Sequence, residues 1–195
     1  MSAVRTFVGI PLESAFRDSL EDASACLRDL DPSWRNEKWT ARENLHVTLK
    51  FVGGVPEDEL DALGDAIAEA VGERPGSFQL PFDGVKAVPS LRRARMLWAT
   101  FLDPDDACSA LAAAVERAVL AFGAELDDRQ FVPHVTLVRA RRPHSVSEDA
   151  FEAGAVAASH APELMSVTQV TLFSSTLTPK GPIYSELRSY PLGSD

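Results

Sequence analysis

The chain has 195 residues, of which 45% are hydrophobic and 25% charged, enough to bury a substantial core. No low-complexity block, Gly/Ser linker or long run of one charge interrupts it, which argues against a disordered chain. The formal net charge of −10 argues against a broad, sequence-independent grip on long nucleic acid, because that grip comes from basic surface displacing counterions. It leaves room for a pocket that holds one phosphate with a few local cations and backbone donors.

The first predicted strand covers residues 4–10, and after Pro11 the segment 13–30 places Phe16, Leu20, Ala23 and Leu27 at helical spacing. A second strand is expected over 45–52, closed by Gly53-Gly54, and Pro56 precedes a helix carrying Leu60, Leu63, Ile67 and Val71. Two more strands, 78–88 and 96–102, are parted by a loop with Pro89, Arg92, Arg93 and Arg95. Residues 103–122 form an Ala-rich amphipathic helix with Asp103 as its N-cap and Gly123 as its stop. A strand over 132–139, a short helix over 146–158 and strands over 164–174 and 183–190 come next, the last two around a turn at Pro179-Lys180-Gly181-Pro182. The second half thus repeats the plan of the first, with no break in composition, and the chain reads as one α/β or α+β unit of two similar lobes spanning 1–195.

The apolar run near the N-terminus is about seven residues long, too short for a signal-peptide core, and no stretch approaches the roughly 20 apolar residues that span a bilayer. The expectation is a soluble, cytoplasmic protein without membrane contact. Cys26 and Cys108 sit in Ala/Leu-rich helical patterns, far from any zinc-type spacing, and are read as buried structural thiols.

The chemistry is carried by a repeat. Leu45-His46-Val47-Thr48-Leu49 in the first half returns as Pro133-His134-Val135-Thr136-Leu137 in the second, each inside a predicted strand. Side chains two apart on a strand share a face, so His46 sits beside Thr48 and His134 beside Thr136, with the valines and leucines left to anchor the opposite faces. Two imidazoles supply what opening a cyclic phosphodiester requires: a neutral ring to take a proton from water and a protonated ring to give one to the departing oxygen. The threonine hydroxyls can donate to the non-bridging phosphate oxygens. No metal is called for, since neither motif has a second ligand at i+2 or i+4 and no carboxylate recurs beside both histidines. His144 and His160 lack the motif and are read as structural.

On these motifs the sequence resembles the two-histidine (2H) phosphoesterase superfamily, in its RNA 2′,3′-cyclic phosphodiesterase or 2′-5′ RNA ligase branch. The resemblance extends to Arg5-Thr6-Phe7-Val8-Gly9-Ile10, Trp39, Glu43-Asn44-Leu45, Lys50-Phe51-Val52-Gly53, Phe131-Val132-Pro133, and Leu172-Phe173-Ser174-Ser175 through Gly181 and Tyr184. It implies an α+β, bilobal, pseudo-two-fold fold in which two antiparallel sheets flank a central cleft, with helices on the outside. It also implies that His46 is the proton donor and His134 the proton acceptor, with Thr48 and Thr136 on the phosphate and Arg139 at the arginine that closes the second motif. The implied substrate is an RNA terminus or nucleotide bearing a 2′,3′-cyclic phosphate, yielding a 2′-phosphomonoester; no cofactor is expected, and the protein is read as a monomer.

Strand parity places Arg139 opposite His134 and Thr136 unless the strand ends or bulges there, whereas Lys50 has the better parity, two residues past Thr48. The Arg92-Arg93-Arg95 loop could steer an RNA end. Phe7, Phe51, Phe131 and Tyr184 could stack on a base, although the strand phenylalanines are expected to pack in the core. Other readings stay open on the sequence: a non-catalytic RNA-end or nucleotide-binding module, the reverse 2′-5′ ligation, or another 2′-linked phosphodiester such as a cyclic ADP-ribose phosphate or a 2′-5′ oligoadenylate.

Overall fold

The structure is a computed structural model and describes residues 3–73, 76–179 and 181–193. In chain order the elements are β1 (Ala3–Pro11), α1 (Ser14–Leu30), β2 (Lys38–Trp39), β3 (His46–Pro56), α2 (Leu60–Gly72), β4 (Phe78–Val88), β5 (Ala94–Phe101), α3 (Ala107–Val119), β6 (His134–His144), α4 (Glu148–Ala158), β7 (Leu164–Val167), β8 (Gln169–Thr178) and β9 (Gly181–Pro191). The strands run β7-β4-β5-β6-β3-β1-β8-β9, every neighbour antiparallel, with β2 paired to β6 off this path.

This order divides at its middle. β3 and β6 share a single residue pair, Val47 with Val135, while the ladders on either side are long. One half is therefore β3-β1-β8-β9 and the other β7-β4-β5-β6. Each half has its own helix pair: α2 packs on α3, with α3 against β3 and α2 against β9, while α1 packs on α4, with α1 against β6 and α4 against β4. The architecture is the α+β, two-lobed, pseudo-two-fold arrangement that the resemblance implies.

The lobes are not the two halves of the sequence. β1, β3, β8 and β9 come from both ends of the chain, and α1 leaves β1 to cover the opposite sheet. The predicted strand over 164–174 is accordingly two strands, because the chain changes lobe at Thr168: β7 pairs β4, and β8 pairs β1. The exposed Thr168 accepts from the Leu192 N–H at 2.9 Å, which holds the crossing point to the end of the chain. Gly53-Gly54 does not close its strand either. Gly53, at φ 104°, lets β3 pass through an irregularity between Thr6 and Phe7 of β1 and continue to Pro56.

Local rules account for most other boundaries. Phe16, Leu20, Ala23 and Leu27 form the buried stripe of α1. α3 begins at Ala107, later than expected, because the Asp103 carboxylate reaches forward to accept from the Cys108 and Ser109 N–H groups rather than occupying the N-cap itself. Gly123, at φ 88°, ends the turn after α3. Cys108 is buried on α3 and Cys26 half-buried on α1, both as free thiols. Among the described residues no helix is long and apolar enough to cross a membrane. Lys180, in the expected 179–182 turn, lies outside the described residues.

The α1–α4 contact is close. A Cβ on Gly154 would stand 2.6 Å from Leu27 Cγ and 2.9 Å from its Cδ1, and Leu27 is itself buried. Gly154→Ala should therefore lower unfolding stability by about 1–3 kcal/mol through overpacking, measured as a lower urea midpoint at unchanged slope. An unchanged midpoint would show that the helices separate freely.

Candidate active site

The Val47–Val135 pair fixes the geometry of both motifs. Both valines are buried, so their side chains define the core face at the bridge. Antiparallel alternation then turns His46, Thr48, His134 and Thr136 to the other face, with His46 across from Thr136 and His134 across from Thr48. All four are half-buried, and the positive charge of His134 is felt at His46.

One step past each threonine the ladder skips a residue. On β3, Gly9 is opposite Thr48 and Val8 opposite Lys50, so Leu49 is the extra residue. On β6, Trp98 is opposite Thr136 and Leu97 opposite Val138, so Leu137 is the extra residue. These matched bulges reverse the parity of the residues beyond them. Lys50 consequently points away from the histidines, buried and ion-paired with Glu116 of α3, which holds that carboxyl below the usual carboxylate range. The expectation that Lys50 shares the face of Thr48 is corrected by one residue of bulge. The same displacement brings Arg139 round to the histidine side, where it is exposed and its charge acts on both His134 and Tyr184. Phe51, the residue of β3 equivalent to Arg139, is 60% exposed rather than packed in the core.

The two imidazoles are held alike. His46 Nδ1 lies 2.7 Å from the Asn44 carbonyl, and His134 Nδ1 lies 2.7 Å from the Val132 carbonyl. A carbonyl only accepts, so each Nδ1 carries the proton and each neutral ring keeps its Nε2 lone pair. At His46 that nitrogen lies 2.9 Å from Thr48 Oγ1, whose hydroxyl donates to it. The Thr136 hydroxyl makes no hydrogen bond among the described residues, while the Thr136 carbonyl accepts from Thr40 Oγ1 at 2.7 Å.

Their surroundings differ. His46 sits in an aromatic cluster, with Phe7 at 4.7 Å and Tyr184 at 5.4 Å between ring centroids. Gly9 makes this possible, since a Cβ there would meet Val47 O at 2.8 Å and His46 Cδ2 at 3.1 Å. At the matching position of the other lobe stands Trp98, stacked on His134 at 3.8 Å. Its indole N–H is buried without a hydrogen-bond partner among the described residues. Phe7 and Tyr184 also line a cavity of about 100 Å³ with Arg5, Phe51 and Ser175. Burial pulls the His46 pKa down to about 4 and lowers that of His134 as well. In each case the carbonyl hydrogen bond opposes the shift, while a nearby positive charge adds to it: His134 for His46, Arg139 for His134.

Of the residues expected from sequence, His46, Thr48, His134, Thr136 and Arg139 therefore come together, and Lys50 does not. Phe131 packs against the core. His144, at the far end of β6 from His134, packs on Trp34 at 4.2 Å between ring centroids and faces Glu37 at 3.5 Å, and His160 is exposed in a turn after α4. Trp98 is a site residue that the sequence does not point to, and Gly9, although inside the Arg5-to-Ile10 segment of the resemblance, has no role assigned there. Only the cross-strand register, which sets each beside a motif threonine, singles them out. Among the described residues no three His, Cys, Asp or Glu side chains converge as a metal-holding set.

A bilobal antiparallel fold with one His-x-Thr strand per lobe, meeting at a two-fold-like bridge, defines a two-histidine site. The model of the 2′-5′ RNA ligase superfamily matches residues 16–178, and the chain belongs to that family. It is 29% identical over 190 residues to an RNA 2′,3′-cyclic phosphodiesterase of Methanothermobacter thermautotrophicus, covering 97% of this chain and 99% of the relative. A protein of the same name from Aeropyrum pernix is 31% identical over 148 residues, 74% of this chain and 80% of its own. Among solved structures, a Thermus thermophilus protein, TT0787, superposes with a TM-score of 0.74 at 24% identity, covering 96% of this chain and 97% of its own. E. coli LigT complexed with 3′-AMP superposes with a TM-score of 0.71 at 23% identity, covering 98% and 99% respectively. These two likenesses are of fold.

The held tautomers lead to an expected outcome in the free protein. A ¹⁵N-correlated NMR titration of the imidazoles should show both motif rings as Nδ1–H tautomers at pH 7, His46 staying neutral until the pH nears about 4 and His134 titrating below the ordinary value of about 6.5. A native pKa below the unfolded one means that the unfolded chain binds more protons in this window. The stabilising contribution of the neutral rings is thus whole above pH ~6.5 and is lost as the pH falls toward the native values. A His46 ring that titrates near 6.5 would overturn this description.

Proposed function

We propose that the protein is an RNA 2′,3′-cyclic phosphodiesterase, opening a terminal 2′,3′-cyclic phosphate to a 2′-phosphomonoester with two histidines and no metal. The observation that carries the reading is the pair of identically tethered imidazoles set diagonally across the Val47–Val135 bridge, each beside a threonine hydroxyl. The family and the names borne by the archaeal relatives support the same reaction.

In this reading His134 Nε2 takes a proton from water, the resulting hydroxide attacks phosphorus in line, the P–O3′ bond breaks, and His46 gives its Nε2 proton to the leaving 3′ oxygen. Displacement in line needs donor and acceptor on opposite sides of phosphorus, which the diagonal arrangement supports. Thr48 and Thr136 donate to the non-bridging oxygens, and Arg139 contacts phosphate or ribose. Once His46 is protonated its Nε2 no longer accepts from Thr48, so that hydroxyl is freed for the phosphate. The assignment of the 3′ oxygen to His46 comes from the family resemblance. All five residues lie on one chain, which supports a monomeric, single-domain enzyme over 1–195, and the two unpaired thiols fit the reducing cytoplasm.

The test is hydrolysis of a 2′,3′-cyclic mononucleotide in the presence of a chelator, with the product compared against authentic 2′- and 3′-monophosphates. The expected outcome is full turnover to the 2′-phosphate. Activity lost in chelator and restored by zinc or manganese would sink the metal-free mechanism, and a 3′-phosphate would reverse the substrate orientation and the bond assigned to His46. His46→Ala and His134→Ala should each lower kcat by about 10²–10⁴-fold. Complete inactivity of the wild type with retained ligand binding would favour a binding module instead.

The pH dependence is set by the same burial. Turnover needs the proton on His46 and none on His134, and His46 is the ring that holds a proton less readily, so the active form is the minor one of the two singly protonated states. The kcat/KM profile should still be bell-shaped with its maximum between about 4 and the ordinary histidine value of about 6.5. A maximum above pH ~7 would contradict the lowered values.

A further inference from the structure

From the distribution of unpaired cations we infer that the end of the β5–β6 ladder beyond Arg139 is a binding track for the phosphates of a single-stranded RNA, so that the preferred substrate is a polynucleotide end rather than a mononucleotide. This rests on the proposed phosphodiesterase reading and extends it away from the reacting phosphate.

The track begins at Arg139, which stands directly across the ladder from Lys38 of β2. Like charges placed opposite each other on a sheet are destabilising unless something between them is negative. Beyond Arg139 the ladder with β5 breaks: Met96 pairs Arg139 and Ala94 pairs His144, so residues 140–143 of β6 stand opposite Arg95 alone. That wide bulge throws out Arg141 and Arg142, and Arg92 and Arg93 sit on the turn Leu91–Arg93, fastened to this end of β6 by the Val146 N–H bond to Leu91 O at 2.8 Å. All of these cations are exposed, and among the described residues none has an ion pair or a side-chain hydrogen bond.

A chain with a net charge of −10 has carboxylates to spare, yet they do not neutralise this cluster. The nearby Glu37 is committed elsewhere, accepting from the Arg141 backbone N–H at 2.8 Å and facing the His144 ring at 3.5 Å. Arg139 is at once the first of these cations and the one whose charge reaches His134, so the track is continuous with the histidines. From His134 to Arg142 the strand rises on the order of 25 Å, room for a few nucleotides. A mononucleotide could not reach the far end, whereas a single strand held at its terminal phosphate would lay successive phosphates along it.

The experiment compares kcat/KM for a 2′,3′-cyclic mononucleotide and for an eight-nucleotide RNA ending in a 2′,3′-cyclic phosphate, at low and moderate salt. Binding of 5′-fluorescein RNA of the same length is followed in parallel by anisotropy. Two multiple variants are used, Arg92→Gln with Arg93→Gln and Arg95→Gln, and Arg141→Gln with Arg142→Gln, each checked for an unchanged melting curve. The expected result is at least a tenfold loss of kcat/KM on the oligonucleotide, a flatter salt dependence and weaker RNA binding, with less than a twofold change on the mononucleotide. Equal effects on both substrates, or RNA binding unaltered by either variant, would overturn the inference and leave the phosphodiesterase reading standing. If the wild type hydrolysed neither substrate but the variants still weakened RNA binding, that reading would fail and the track would remain.

Discussion

The site depends on one backbone pairing, Val47 with Val135. An antiparallel bridge has a local two-fold axis, so any short sequence placed identically on both strands is carried into two equivalent environments. Histidine one residue before the bridge and threonine one residue after it therefore converge from both lobes onto a single face, each histidine across from the other strand's threonine. The valines at the bridge are buried, which locks the register, because a slip of one residue would put both imidazoles into the core and both valines into the cleft. The bulges at Leu49 and Leu137 complete the unit. Each lets its strand bury two consecutive side chains, Leu49 and the ion-paired Lys50 on β3 and Leu137 and Val138 on β6, while the next exposed residue, Phe51 or Arg139, returns to the cleft.

Equivalent placement does not make the rings equivalent. Both Nδ1–H groups are tied to a carbonyl two residues back, but the carbonyl at His46 belongs to Asn44, a buried residue whose side chain donates to Pro182 O at 2.7 Å, and that at His134 belongs to the exposed Val132. Gly9 allows the His46 ring to settle among Phe7, Phe173 and Tyr184, while the indole of Trp98 takes the matching place over His134. These neighbours are where the environments of two residues of the same type diverge, and the His46 ring is the more strongly depressed.

The repeat, the shared face of each His-x-Thr and the stripes of the long helices are legible in the sequence because each is set by local periodicity. The span 78–88 of β4 is legible for the same reason. The rest depends on partners. A bulge leaves no mark in its own strand, since Leu49 and Leu137 look like ordinary alternating residues. Only the opposite strands reveal that Lys50 is turned to the core and Arg139 to the site. The break at Thr168 and the interleaving of the lobes are likewise properties of which strand pairs with which. Trp98 and Gly9 have no motif of their own and matter only by standing beside the two threonines.

Two lobes that share a single backbone pair would be expected to hinge, and a hinge would blur a site that needs both rings at fixed positions. The segment between β2 and β3 opposes this by lacing the lobes together at the site itself. Lys38 and Trp39 pair with β6, and Thr40 then donates its N–H to Leu137 O at 2.8 Å and its hydroxyl to Thr136 O, gripping the bulge of the second motif. A few residues later Asn44 receives the His46 proton bond and reaches Pro182 in β9 of the other lobe. Arg42, between them, is ion-paired to Asp18 of α1. One short stretch of chain thus contacts the second motif, the first histidine and both lobes in succession. The chain crosses between the same bodies five more times, at β1–α1, α2–β4, β5–α3, α3–β6 and β7–β8. The rings are held by this lacing before any phosphate arrives, which is the condition under which fixed donors lower a barrier rather than being reorganised by the substrate.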